Sequence, residues 1–134
     1  MQVGDYNIKE GLYYLDSHEW VEIKGNTATI GLSDYAQKSL GDVAYIDVPQ
    51  VGKEVSQKAE LCEIESVKAV DHVYSPLSGK VVGANSELTN SPDKINSDPY
   101  GAWIVKIEIK DESEKANLKD ANAYAEFVKG LAAK

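Results

Sequence analysis

The chain has 134 residues, 43% of them hydrophobic, and carries a formal net charge of −8 at pH 7. That length fits one domain with a packed core, and the acidic balance argues against nonspecific nucleic-acid binding, which needs basic groups to neutralise phosphates. All fourteen basic residues are lysines, and the lack of arginine, the side chain best shaped to grip a phosphate through two parallel bonds, weighs against a phosphoryl-transfer enzyme.

The start, Met1-Gln2-Val3-Gly4-Asp5, has neither a basic nor an apolar stretch, so no secretory signal is expected there. Trp20–Ile23 and Thr27–Ile30 are short β-prone runs separated by Gly25-Asn26, which reads as a hairpin. A short helix is expected next, with Ser33 as N-cap, Asp34 in its first turn and Leu40-Gly41 as its stop. Then comes an internal echo. Val43, Ile46, Pro49, Gly52, Lys53 and Val55 match Val70, Val73, Pro76, Gly79, Lys80 and Val82 in order and offset. Each copy reads as a strand, a Pro-x-x-Gly turn and a second strand start. Pro-x-x-Gly also recurs by chance in β proteins, but six aligned positions favour two similar half-sheets facing each other across one core.

Between the copies, Ala59–Glu65 reads as a strand and Val70 onward as its return, which places Lys68 at a hairpin tip. Asn85–Gly101 is polar and turn-rich, and Trp103–Ile109 reads as the final strand. Residues 111–134 are helix-prone, with Leu118, Tyr124, Phe127, Val128 and Leu131 as apolar contacts and Asp120 as N-cap of the last helix. The residues therefore predict a mostly β fold, a small sandwich or flattened barrel with peripheral helices. No apolar run approaches the roughly 18 residues of a membrane span.

Catalytic and metal chemistry find little support. The two histidines, His18 and His72, and the one cysteine cannot build a cysteine-rich zinc site, and each histidine reads more readily as a structural residue. Cys62 excludes an internal disulfide, fits a reducing compartment and lies inside a strand pattern, where a small core hydrophobe is expected. No phosphate loop, nucleophile elbow or paired-histidine helix is present. Lys68 differs from an ordinary surface lysine by its setting. It stands at a tight turn between matching half-repeats, flanked by Ser66, Val67, Ala69 and Val70, with Glu65 and Asp71 keeping the tip polar. A lysine displayed this way is accessible to a modifying enzyme, and its flexible stem suits a covalently attached cofactor that carries the chemistry.

Glu65-Ser66-Val67-Lys68-Ala69 resembles the lipoylation motif of the glycine cleavage H-protein family, of the biotinyl/lipoyl carrier class. Further resemblance runs through Ser17-His18-Glu19-Trp20, Ala28–Gly31, Ala36-Gln37, Leu40-Gly41-Asp42, Ser75–Gly79, Ile95–Tyr100, Ala123-Tyr124 and Phe127, over about residues 12–128. A biotin carrier fits less well, because that family usually flanks its lysine with methionines where this chain has Val67 and Ala69.

The resemblance implies a hybrid barrel-sandwich of two small antiparallel sheets, with short peripheral helices and a C-terminal helix. It implies one lipoyl-carrier domain over 1–134, with a core of about 12–109 and a helical segment of about 111–134. Lys68 is the expected site of covalent lipoic acid. The implied role is a monomeric, non-catalytic, cytoplasmic carrier (or one of the mitochondrial matrix), with no metal, no nucleic acid and no membrane contact. It would take an aminomethyl group from a pyridoxal-phosphate glycine decarboxylase to a tetrahydrofolate-dependent aminomethyltransferase. A dihydrolipoamide dehydrogenase and a lipoylating ligase or octanoyltransferase complete the implied partners. Glu19 corresponds to a glutamate beside the loaded arm in this family; the alternative is a strand-end surface charge. Two other readings stay open: a lipoyl carrier in another circuit, such as sulfur oxidation or lipoyl relay, and a structural or binding module whose Lys68 is never modified. The chain departs from the family pattern at Tyr35, where histidine is common, at Gly101-Ala102-Trp103, one residue shorter than in many relatives, and in the ten residues before Gly11.

Overall fold

The computed structural model describes residues 1–132, so residues 133 and 134 of the expected helical segment lie outside the described residues. The strands are β1 (Gln2–Val3), β2 (Tyr6–Asn7), β3 (Tyr13–Tyr14), β4 (Glu19–Lys24), β5 (Thr27–Leu32), β6 (Val43–Ile46), β7 (Glu54–Val55), β8 (Glu60–Ser66), β9 (Val70–Tyr74), β10 (Gly79–Ala84), β11 (Val105–Ile109) and β12 (Lys119–Asp120). The helices are α1 (Asp34–Leu40), α2 (Glu87–Asn90), α3 (Lys94–Ser97) and α4 (Ala121–Ala132). One sheet runs β12-β3-β4-β5-β11-β10-β7, a smaller one β6-β8-β9, and β1-β2 forms a separate ribbon, all antiparallel. The expected mostly β barrel-sandwich with short helices and a C-terminal helix holds; the ribbon is an addition at the N-terminus.

The echo acquires a physical meaning in the sheets. In each copy the first strand (β6 or β9) lies in the small sheet, and the second (β7 or β10) lies in the large one, so the Pro-x-x-Gly turn is where the chain crosses between sheets. The two second strands pair with each other, Val55 with Gly79 and Glu54 with Lys80. The two first strands flank β8, which carries the hairpin. Strand β11 alternates buried and exposed residues along Val105–Ile109, as a one-sided sheet requires. Strand β4 does not, because both its faces are covered. Val21 enters the main core, while Trp20 joins Tyr14, Tyr124 and Val128 in a second cluster under α4.

Helix α1 forms as its caps dictate. The Ser33 side chain accepts from the Ala36 amide at 3.2 Å, and Gly41, at φ 79°, donates its N–H to the Gln37 carbonyl. Three expectations need correction. The regular ladder runs from Val105, with one further backbone bond from the Ile104 amide to the Ile30 carbonyl (2.7 Å), and leaves out Trp103, whose carbonyl accepts from the Asn85 side chain at 2.8 Å. That strand is not the last, since β12 pairs with β3. The segment after residue 110 is not helical throughout: Asp111 caps a short 3-10 turn over Glu112–Asn117, and only after β12 does Asp120 cap α4 by accepting from the Ala123 amide at 2.8 Å. The turn-rich stretch 85–101 holds two single-turn helices pinned by buried Leu88 and Ile95. Among the described residues no helix is long and apolar enough to cross a membrane.

Candidate functional site

Strands β8 and β9 end at Ser66 and Val70, leaving Val67-Lys68-Ala69 as the exposed tip. The tip is built by Ser66. Its amide donates to the Ala69 carbonyl at 2.8 Å, and its hydroxyl oxygen accepts from the amides of Lys68 (3.3 Å) and Ala69 (3.1 Å). The Val67 amide donates to the Asp42 carbonyl at 3.0 Å and ties the tip to the end of α1. The Lys68 stem then lies over Gly41, where a β-carbon would stand 3.3 Å from Lys68 Cε. Gly41 therefore meets two demands: a positive φ at the helix end and room for the lysine stem. Among the described residues Lys68 Nζ has no hydrogen-bond or ion-pair partner.

Beside the tip a cleft of about 280 Å³ opens between α1 and the hairpin. Leu32, Leu40 and Ile64 give it an apolar floor; Ser17, His18, Asp71 and His72 are polar residues of its lining, and Ala69 and Val70 bring it to the neighbours of Lys68. An apolar slot with a polar end, adjoining a free amine, suits a lysine-linked chain of methylenes with a polar head.

Glu19 is not a strand-end surface charge, which corrects one of the two sequence readings. It is fully buried at the start of β4, behind Ser17 and His18. Its Oε1 accepts from the Ser17 hydroxyl at 2.5 Å and its Oε2 from the Tyr74 amide at 2.8 Å, so it links the large sheet to the end of β9. Burial pushes its carboxyl up to about 7, against the opposing pull of those two bonds, and Asp71 adds a small upward push.

His18 lies in the tight turn before β4 at φ 81°, a backbone conformation uncommon for residues other than glycine. Its carbonyl accepts from the Ser33 amide at 2.9 Å and its Nδ1 lies 2.7 Å from the Tyr124 hydroxyl. Burial lowers its pKa, opposed by Asp16 and Asp71. Cys62 is buried with its thiol pushed up to about 12, mainly by burial, as a core hydrophobe should be.

Two departures from the family pattern meet in one place. Tyr6 of the N-terminal ribbon packs on Tyr35 with ring centroids 4.8 Å apart, and Tyr35 packs on His18 at 4.4 Å. The ribbon is fastened to α1 by the Asn7 amide on Asp34 Oδ2 (2.9 Å) and by Lys38 on the Asp5 carbonyl, and to the segment after α3 by the Tyr100 hydroxyl on the Asn7 carbonyl (2.6 Å). The residues before Gly11 and the tyrosine at 35, which itself lines the cleft, thus build one aromatic buttress on its wall. Sequence reasoning did not single out Gly41 as the lysine's seat, nor Ser33 and Tyr124 as partners of the cleft; the run Ser17-His18-Glu19 was the available signal.

A family model described as glycine cleavage H-protein matches residues 12–131. A probable glycine cleavage system H protein of Pyrococcus horikoshii is 56% identical over 133 residues, 98% of this chain and 99% of that one. A glycine cleavage system H protein of Acidobacterium capsulatum is 49% identical over 116 residues, 87% and 90% of the two chains. The crystal structure of a glycine cleavage system H protein from Mycobacterium marinum superposes with a TM-score of 0.78 at 30% identity, covering 89% of this chain and 97% of that one. With sequence, length and fold in agreement, this chain belongs to the glycine cleavage H-protein family.

Proposed function

We propose that this chain is a non-catalytic lipoyl carrier of glycine cleavage, with lipoic acid joined in amide linkage to Lys68 Nζ. When bound, the lipoyl group supplies a dithiolane that takes up the aminomethyl group of glycine and yields it again. The glycine decarboxylase, the aminomethyltransferase and the dihydrolipoamide dehydrogenase would act on it in turn, and a ligase or octanoyltransferase would install it. The observation that carries this reading is the seating of Lys68: a Ser66-built turn, a Gly41 platform under the stem, and an amine with no partner among the described residues. Amide formation consumes the lysine's charge, and among the described residues no ion pair at this tip has to be given up for it. The chain's own residues then position the arm. Leu32, Leu40 and Ile64 offer a surface for its methylenes, and the polar wall of Ser17, with Glu19 behind it, suits an amine at its end.

The test is reconstitution of glycine decarboxylation with purified partner enzymes and either wild type or Lys68→Arg, each first exposed to a lipoylating enzyme. Wild type is expected to support glycine-dependent carbon dioxide release. Lys68→Arg, which keeps the charge but lacks the acylable amine, is expected to support none while giving an unchanged circular dichroism spectrum. Wild-type turnover with Lys68→Arg would overturn the reading.

A further inference from the structure

We propose that Tyr124, on the C-terminal helix, is a positioning residue for the cleft: its hydroxyl holds His18 in its left-handed turn and so sets the wall formed by Ser17 and His18, with Glu19 behind it. The inference rests on the carrier reading above for its functional consequence.

The Tyr124 hydroxyl lies 2.7 Å from His18 Nδ1 and 2.7 Å from Ser33 Oγ, and Ser33 Oγ also accepts from the Ala36 amide. Ser33 and Tyr124 are fully buried. Two hydroxyl protons serve these two contacts. If Ser33 donates to Tyr124 and Tyr124 donates to His18 Nδ1, every proton has an acceptor. In the opposite direction Nδ1 donates to Tyr124 and Tyr124 to Ser33, and the proton of the fully buried Ser33 hydroxyl is left without an acceptor among the described residues, which is costly. The first direction therefore wins. It fixes His18 as a neutral imidazole with its proton on Nε2, which leaves one donor on a residue that lines the cleft.

The same contact bears on the backbone. His18 is one of two non-glycine residues with positive φ among those described. Its carbonyl is held by the Ser33 amide and its ring by Tyr124, so two bonds from elsewhere in the fold secure a turn that the residue does not favour by itself. Ser17 and Glu19 flank that turn and bond each other at 2.5 Å. Helix α4 thus reaches this wall across 106 positions of sequence through the Tyr124 hydroxyl, while Phe127 of the same helix packs on the His18 ring with centroids 5.8 Å apart.

The variant Tyr124→Phe removes the hydroxyl and keeps the ring stacked on Tyr14, 4.2 Å away and 1° from parallel. The first readout uses unmodified protein with nitrogen-15 histidine. Wild type is expected to show His18 in one tautomer, with Nδ1 unprotonated, and Tyr124→Phe to lose that exclusivity. The second readout is decay of the aminomethyl-loaded, lipoylated protein, expected about threefold faster in the variant, as loss of one ordinary hydrogen bond would give, with the rate of lipoylation at Lys68 unchanged. In a His18→Gly background, where positive φ costs nothing, Tyr124→Phe is expected to add no further change. Should Tyr124→Phe fail to fold, Ser33→Ala removes the proton that sets the direction and is expected to give the same loss of a single tautomer. Unchanged histidine spectra, or altered spectra with unaltered decay, would overturn the inference. Failure of wild type to accept lipoic acid would overturn the carrier reading and the inference with it, and is seen before any variant is compared.

Discussion

Replacing Glu19 by glutamine should make the protein more stable above neutral pH and remove part of its pH dependence. The carboxyl is moved by burial from 4.5 to about 7. At about 1.4 kcal/mol per tenfold change in proton affinity, keeping it ionised costs the folded state about 3 kcal/mol. The sign follows from proton counts. Between pH 4.5 and 7 the folded chain holds the Glu19 proton more tightly than the unfolded chain does, so stability falls as pH rises, and the cost is fully present above that window and absent below it. Glutamine carries no charge and can keep both contacts, its carbonyl accepting from the Tyr74 amide and its amide donating to the Ser17 hydroxyl. Urea unfolding of both unmodified proteins between pH 4 and 8 checks this, because the other carboxylates cancel in the difference. The stability of Glu19→Gln relative to wild type should rise by about 3 kcal/mol across that range. Parallel curves would refute the argument. A cationic amine arriving at the cleft would offset the same cost, which is a physical reason for a lipoyl carrier to keep a buried carboxylate there.

Gly79→Ala should lower the melting temperature sharply, since its β-carbon would stand 2.2 Å from the Glu108 carbonyl oxygen and backbone cannot step aside; a cost of about 3 kcal/mol fits overpacking of this kind. Gly41→Ala should cost about 2–3 kcal/mol, because φ 79° with ψ −158° is a backbone conformation that essentially only glycine adopts, and should also slow lipoylation of Lys68, followed by intact mass, because the new methyl presses on the lysine stem. Cys62 should resist thiol reagents at pH 8 in the native protein and react once urea unfolds it, read by absorbance of a released thiolate; native-state labelling would contradict its placement.

The parts of the fold legible in the sequence were those governed by local rules. Alternation along residues 105–109, the Gly25-Asn26 turn, the Ser33 and Gly41 caps and the tip at Lys68 all follow from periodicity or turn chemistry within a few residues. The echo told more than its turns, since matching copies cross between the same two sheets. What stayed hidden depends on distant partners. Strand β12 is two residues long and exists because β3 is there to pair with it. Glu19 reads locally as a strand end, and its burial comes from β9 and from neighbours that only the folded chain assembles. His18 and Tyr124 lie 106 residues apart, and nothing in either local pattern announces their contact. Trp103 failed as a strand residue for a similar reason: a side chain 18 positions earlier claims its carbonyl.

Peptide mass spectrometry of the chain co-produced with a lipoylating enzyme tests the central claim most directly. One lipoyl adduct is expected, on Lys68, with the other thirteen lysines unmodified. An adduct on another lysine with Lys68 free, or no adduct under conditions that lipoylate an established carrier, would contradict it.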